Sequence, residues 1–334
     1  MKLPLKAAAI AVATSAITLV CGGVSQAAIT TAATTRAVMT STFIQPSVNA
    51  KDPTINWTQA QYSQDFQRMT GAGIRSVVVQ WTVDQDANQA YYPSSAGWYP
   101  QASNMVGTIM SAAQATNVSQ VWLGLANTYD WQAHASDSSW LYNQLYADEK
   151  TADQLYALYG SKVTGWYVSD EVNDKLLSTS ADVGPMTWFF SSLTSYLHSH
   201  DGDKPVMESP TYANLTESPA QFAASCQRVL GSLDVLNVQD SGGSGYEQPS
   251  DIKNWFTALH NQFSGSTTAI WDNPDLFSAD GPIPSAQLQA DLKATAGLVS
   301  SYSGFEFITQ LDPTIVGTAS NLNAYKSYAQ THTG

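Results

Sequence analysis

The chain has 334 residues, of which 43% are hydrophobic and 11% aromatic, enough apolar side chain for a sizeable core. Only 12% are charged, and 14 basic residues against 27 acidic ones leave a net charge of −13. Such a balance argues against a nucleic-acid partner, which needs a basic patch, and against docking on anionic lipid.

In chain order, Lys2 and Lys6 precede an apolar run from Ala7 to Val20, and Ser25 and Ala27 follow as small residues. This pattern predicts an export signal over residues 1–27, and with it a secreted or periplasmic protein. The run falls short of the roughly 20 apolar residues that a membrane span requires, so no membrane insertion is expected after cleavage. Leu19 and Val20 before Cys21 lack the small residue of a lipoprotein signal. Cleavage would leave Cys226 as the sole cysteine, so no intramolecular disulfide is expected. The Thr/Ala-rich residues 28–40 read as a flexible linker and residues 41–334 as one domain, expected to be a monomer.

From residue 41 onward a short apolar run, a polar loop and a longer helical stretch recur. The predicted strands are Phe43–Gln45, Ser76–Trp81, Gln120–Gly124, Gly165–Val168, Pro205–Glu208, Val235–Val238, Thr267–Trp271 and Phe305–Ile308. Helical patterns lie between and after them, over about 58–70, 103–116, 138–159, 184–199, 219–230, 249–262, 284–300 and 320–331. Thr58, Ser103 and Ser285 stand at helix starts as caps, and Gly71 and Gly160 at helix ends. Strands alternating with helices make a parallel sheet. Eight such units predict an α/β fold, a (β/α)8 TIM barrel in a single domain. An open doubly wound sheet is disfavoured because "FIQPSVN", after the first strand, lacks a Gly-rich nucleotide loop.

In such a barrel, functional groups sit at the C-terminal strand ends. The predicted ends carry Gln45, Gln80, Trp81, Asn127, Asp130, Trp131, Asp170, Glu171, Glu208, Gln239, Asp240, Trp271, Asp272 and Asp275. These are carboxylates, amides and indoles, with no Lys, Arg or His at any strand end. Amides and carboxylates hydrogen-bond sugar hydroxyls, and indoles stack on apolar sugar faces. An anionic substrate would want Arg or Lys. A carbohydrate is therefore the expected partner, with Trp98 and Tyr99 in the loop after the second strand as added stacking surface.

Glycosidic bond hydrolysis needs one protonated and one ionised carboxyl group. Glu171 ends an apolar strand, where burial raises a carboxyl pKa. The strand pleat turns its neighbour Asp170 the other way. The second acid is sought across the barrel in "IWDNPDLF", as Asp275 or Asp272, with Glu208 and Asp240 as further options. No cofactor is expected. His198 and His200 end a helix on the opposite face, so no metal is expected there, and no G-x-S-x-G elbow supports a serine hydrolase. The aromatic-rich "WLYNQLYADEKTADQLYALYG" reads as a packed amphipathic helix.

The segments "FIQP", "GIRSVVVQWT", "VWLGLANTYDW", "GWYVSDE", "LDVLNVQDSGG" and "IWDNPDLF" together span residues 43–277. In this order the chain resembles the bacterial "domain of unknown function 4434" family of barrels, and more broadly the retaining (β/α)8 glycoside hydrolases. The resemblance implies a sugar-processing barrel with Glu171 as acid/base. It departs from the wider pattern at the strand-seven acid, commonly Glu, where this chain has Asp275. A secreted glycoside hydrolase cleaving inside a polysaccharide or oligosaccharide is the expected function. A non-catalytic carbohydrate-binding barrel of the cell envelope is the alternative.

Overall fold

The computed structural model describes residues 29–48 and 53–332. The export signal and Cys21 lie outside the described residues. Eight parallel strands close into a barrel: β1 Ser41–Ile44, β2 Ser76–Val79, β3 Gln120–Gly124, β4 Gly165–Tyr167, β5 Val206–Glu208, β6 Val235–Gln239, β7 Ala269–Asn273 and β8 Ser301–Gly304. Closure is made by β1, where Ser41 pairs with Ser76 of β2 on one side and Ser303 of β8 on the other. The major helices are α1 Gln59–Thr70, α2 Met105–Gln114, α3 Ser138–Tyr159, α4 Ser180–His200, α5 Pro219–Leu230, α6 Pro249–Gln262, α7 Ser285–Ala294 and α8 Ser320–Thr331.

Local chemistry sets these boundaries. Thr58 and Gln61 form a capping box that opens α1, and Ser218 and Gln221 form one at α5, with Pro219 in its first turn. Asp137 accepts the N–H groups of Ser139 and Trp140 at the start of α3. Among the described residues no helix is long and apolar enough to cross a membrane.

Along each strand, alternate side chains point into the barrel or out toward the helices. The inward set forms its own apolar layer: Phe43, Val78, Trp122, Tyr167, Met207, Val235, Ala269 and Trp271. Phe43 meets Tyr167 edge-to-face at 5.2 Å, and Trp122 meets Trp271 at 5.7 Å. Burying a ring such as Phe43 is worth about 1.5–3 kcal/mol. Room for Trp122 comes from Gly165, where a Cβ would stand 2.4 Å from the indole ring. The outward set joins the helices in the larger core, with Val77, Leu123, Trp166 and Leu236 among its members.

Two expectations need correction. The last strand is Ser301–Gly304, not Phe305–Ile308; the latter stretch leads into a short helix, Phe307–Gln310. The sequence SYSG carries almost no apolar signal; Ser301 Oγ bonds Thr40 Oγ1 at 2.6 Å across the closure, and Thr42 Oγ1 donates to Gly304 O at 2.8 Å. Phe307 and Ile308 are apolar because they are buried as a plug beside β1. Correspondingly, α7 ends at Ala294 and not near 300. The supposed linker 28–40 is, in its second half, part of the barrel body. Ala37, Val38 and Met39 are buried, Met39 N donates to Tyr325 Oη, and Tyr328 Oη donates to Ala37 O, both at 2.8 Å.

Candidate active site

The β4 pleat separates Asp170 from Glu171. Tyr167 belongs to the inner layer and Val168 to the outer core, so two residues on, Asp170 faces the helices and Glu171 the barrel mouth. Glu171 is partly exposed. Its carboxyl is raised above the usual range by burial, which the nearby Gln239 amide partly offsets, and raised further by the charge of Asp275. Gln239 ends β6 level with Asn273 of β7. Its amide is held by donation to Ser209 O at 3.1 Å.

The same alternation sorts the end of β7. Trp271 points into the inner layer. Asp272 points out, fully buried, and accepts from Thr295 Oγ1 at 2.6 Å. Asn273 returns to the mouth side and donates to Ser209 Oγ at 3.0 Å. Asp275 follows the strand with 5% exposure. Its Oδ2 accepts Ser244 N at 2.9 Å and Ser244 Oγ at 2.6 Å, and its backbone N–H donates to Asp240 Oδ1 at 3.2 Å. The Ser244 loop approaches this closely because residue 243 is Gly; a Cβ there would lie 2.6 Å from Asp275 Cβ. Burial raises the Asp275 carboxyl, and the two Ser244 donors pull it back down. Among the described residues no cation acts on either Glu171 or Asp275.

Behind the mouth stands a second set of acids. Asp170, Glu208, Asp240 and Asp272 are each at most 1% exposed. Asp170 packs beside Asp148 and Gln144 of α3, and among the described residues no donor stands in hydrogen-bond geometry to either oxygen. Burial pushes its carboxyl up to about 8. Glu208 accepts Val172 N at 2.9 Å and so pins the backbone just after Glu171. Asp240 Oδ1 accepts Gly242 N at 3.0 Å, shaping the loop that brings Ser244 to Asp275. Asp272 neighbours Asp291 of α7, whose own carboxyl burial raises to about 7. These acids hold up the mouth and do not line it.

The other expected contacts divide similarly. Gln80 and Trp81 follow β2, and the Trp81 ring meets Tyr129 edge-to-face at 6.2 Å. Among the described residues, Gln80 Oε1, Trp81 Nε1 and Asn127 Nδ2 are buried without a hydrogen-bond partner. Asn127 belongs to a small sheet of Val83–Asp84, Gln89–Ala90 and Ala126–Asn127 that ties the loops after β2 and β3 together. Gln45 N donates to Glu306 Oε2 at 2.9 Å. Trp131 is buried. Asp130 is exposed, accepting from Thr128 Oγ1 at 2.9 Å and pairing with His134 at 3.4 Å. Trp271 lies apart from this group: it lines a cavity of about 640 Å³ at the opposite end, with Gln120 and Ser301 from the strand starts. Asp272 is set apart by the strand's alternation and Trp271 by its depth in the barrel.

Residues that sequence reasoning passed over include Ser244, which donates to Asp275, and Asp148 and Asp291, buried on helix faces. Asp148 carried a signal: it falls on the apolar spacing Leu141, Leu145, Ala152, Leu155 of α3. Tyr129 and Tyr246 were also missed; they stand 68% and 59% exposed on the loops after β3 and β6. His198 bonds Asp234 at 2.9 Å. Among the described residues no group of three or more His, Cys, Asp or Glu is arranged to hold a metal ion.

The sequence pattern described as "Domain of unknown function (DUF4434)" matches residues 39–314. The chain belongs to the DUF4434 family. No curated protein matches this DUF4434 chain. Among solved structures, it resembles a proposed α-L-fucosidase from Bacteroides thetaiotaomicron, with a TM-score of 0.69 and 18% identity over 90% of this chain and 96% of that one. An endo-1,4-β-mannanase from Rhizomucor miehei gives 0.58 at 11% identity, covering 88% and 95%. A xylanase from Cellvibrio japonicus gives 0.55 at 14%, covering 89% and 98%. At these identities the likeness is one of fold: the DUF4434 barrel has the architecture of glycoside hydrolases.

Proposed function

We propose that the protein is an exported glycoside hydrolase acting inside a neutral oligosaccharide or polysaccharide, with Glu171 as the acid and Asp275 as its partner. One observation carries this reading: Glu171 and Asp275 share the mouth side of the barrel, close enough for the charge of Asp275 to raise Glu171. Glycoside hydrolysis requires two neighbouring carboxyls, one protonated and one ionised. In the proposed mechanism Glu171, buried enough to keep its proton, gives it to the leaving oxygen. Asp275, supplied with two donors by Ser244, stays ionised and acts as nucleophile or as base toward water. Gln80, Trp81, Asn127, Trp131 and Gln239 hold the sugar, while the absence of cations at the acids fits a neutral substrate. The exposed rings of Tyr129 and Tyr246 offer stacking platforms beyond the reacting sugar, which favours cleavage within a chain.

The test incubates wild type and Glu171→Gln with a panel of bacterial and plant polysaccharides. Reducing ends released by wild type alone support the reading. Binding by both proteins without release would overturn it in favour of a carbohydrate-binding barrel. Proton NMR of the first-formed anomer then separates the nucleophile role of Asp275 (configuration retained) from the base role (configuration inverted).

A further inference from the structure

The loop after β2 builds a second concavity whose walls include none of the mouth acids. A cavity of about 290 Å³ lies between this loop, the start of the loop after β3 and the first half of α3. Its walls present four aromatic rings, Trp98, Tyr99, Trp140 and Tyr146, with the amides of Gln85 and Asn143 among them, and no charged side chain. The rings are held in place. Trp98 meets Tyr99 edge-to-face at 4.9 Å and Tyr146 at 6.2 Å, and Lys150 Nζ stands 5.1 Å from the Trp98 centroid and 5.8 Å from that of Tyr146. The amide of Gln85 is fixed as well. Its Oε1 accepts Tyr99 Oη at 2.9 Å and its Nε2 donates to Gln144 Oε1 at 2.6 Å. One N–H of Gln85 remains for a ligand, and the exposed Asn143 amide has no partner among the described residues.

We propose that this cavity is a second carbohydrate site, taking one neutral sugar unit of a polysaccharide. Rings that face an opening supply apolar surface for a pyranose face, and paired donors and acceptors on fixed amides match vicinal hydroxyls. The volume, at the low end of the roughly 300–1,000 Å³ of ligand pockets, fits one ring and not a peptide or helix. The lack of ionic groups in the wall, in a chain of net charge −13, selects a neutral ligand. Packing alone would leave Tyr146 covered, yet it is 54% exposed. The site is argued independently of whether the barrel mouth hydrolyses its substrate.

The test is affinity electrophoresis of the folded, full-length protein in the Glu171→Gln background, so that turnover plays no part. Gels contain galactomannan, arabinoxylan, hydroxyethylcellulose or glycol chitin as neutral polymers, and polygalacturonate as the anionic one. Tyr146→Ala and Asn143→Ala alter exposed side chains and keep wild-type mobility in a plain gel. The expected result is retardation by at least one neutral polymer, weakened about 3- to 10-fold by Tyr146→Ala. Four results would overturn the proposal: equal retardation of Tyr146→Ala, retardation by polygalacturonate alone, no retardation by any polymer, or a dimer in sedimentation velocity that Tyr146→Ala abolishes. A wild type that releases no reducing ends overturns only the reading of the mouth and leaves this readout intact.

Discussion

Ser244 donates both its backbone N–H and its hydroxyl to the same oxygen of Asp275, at 2.9 and 2.6 Å. Two donors on a buried carboxylate favour its ionised form. Glu171 has only the Gln239 amide beside it and a like charge nearby, which favours its protonated form. Burial raises both carboxyls, and the proposed roles rest on this difference in donors, two on Asp275 against one amide beside Glu171.

Replacing each β7 acid in turn distinguishes the mouth from its supports. Asp275→Asn should lower kcat by about 10³-fold, within the range of a lost general base or nucleophile. Asp272→Asn, whose side chain sits behind the strand on Thr295, should lower it less than about tenfold. Steady-state kinetics on any polymer that the wild type degrades decides between them, and a larger loss from Asp272→Asn would reverse the assignment.

The pH profile should move limb by limb. Activity requires ionised Asp275 and so is lost as pH falls through its pKa. It requires protonated Glu171 and so is lost as pH rises through that pKa. Ser244→Ala removes the hydroxyl, one of the two donors that lower Asp275, and leaves the backbone N–H; the acid limb should shift to higher pH with the basic limb in place. Gln239→Leu removes the amide that lowers Glu171, and the basic limb should shift to higher pH. Profiles of kcat/KM for the two variants check this, and movement of the opposite limb in either would contradict it.

Asp170 links the fold to pH in the opposite sense from a salt-bridged acid. Its carboxyl rises from an ordinary value of 3.8 to about 8 in the folded protein. The native state therefore binds the proton more tightly than the unfolded chain, and this contribution to stability declines as pH rises from about 4 to about 8. Asp170→Asn keeps the shape without the titration. Its Tm should vary less than that of wild type between pH 5 and pH 8, by differential scanning fluorimetry. Parallel curves would show that Asp170 is ionised in the fold.

The barrel floor offers a test of packing. Gly165→Ala would place a Cβ 2.4 Å from the Trp122 ring and 2.7 Å from Pro205 O. Overpacking of this kind costs about 1–3 kcal/mol. Thermal unfolding should show a lower Tm, and Trp122→Phe in the same chain should recover part of the loss. A wild-type Tm in Gly165→Ala would contradict the contact.

The barrel was legible because its signals are local. Val, Leu, Trp and Tyr cluster in β2, β3 and β4, and capping residues such as Thr58 and Asp137 announce the helices that follow. The eighth strand was not, because Ser301 and Gly304 are placed by hydrogen bonding across the closure, a relation between residues some 260 positions apart. Within the site, the split between Asp170 and Glu171 followed from the pleat alone. Extending it to β5 and β7 needed the strand register, which the sequence does not display. Glu208 and Asp272 look like mouth residues in one dimension and prove to be supports in three. Ser244 gave no sign, since its partner Asp275 is 31 positions away.

The acids behind the mouth alter the protein's electrical character as a whole. The formal charge of −13 assumes that every carboxyl is ionised. With Asp170 near 8 and Asp201 and Asp291 near 7, the native molecule at neutral pH carries fewer negative charges than that. Its isoelectric point lies above that of its own denatured chain. Unfolding at pH 7 therefore releases protons to the solvent, and the opened chain repels itself more strongly than the barrel does.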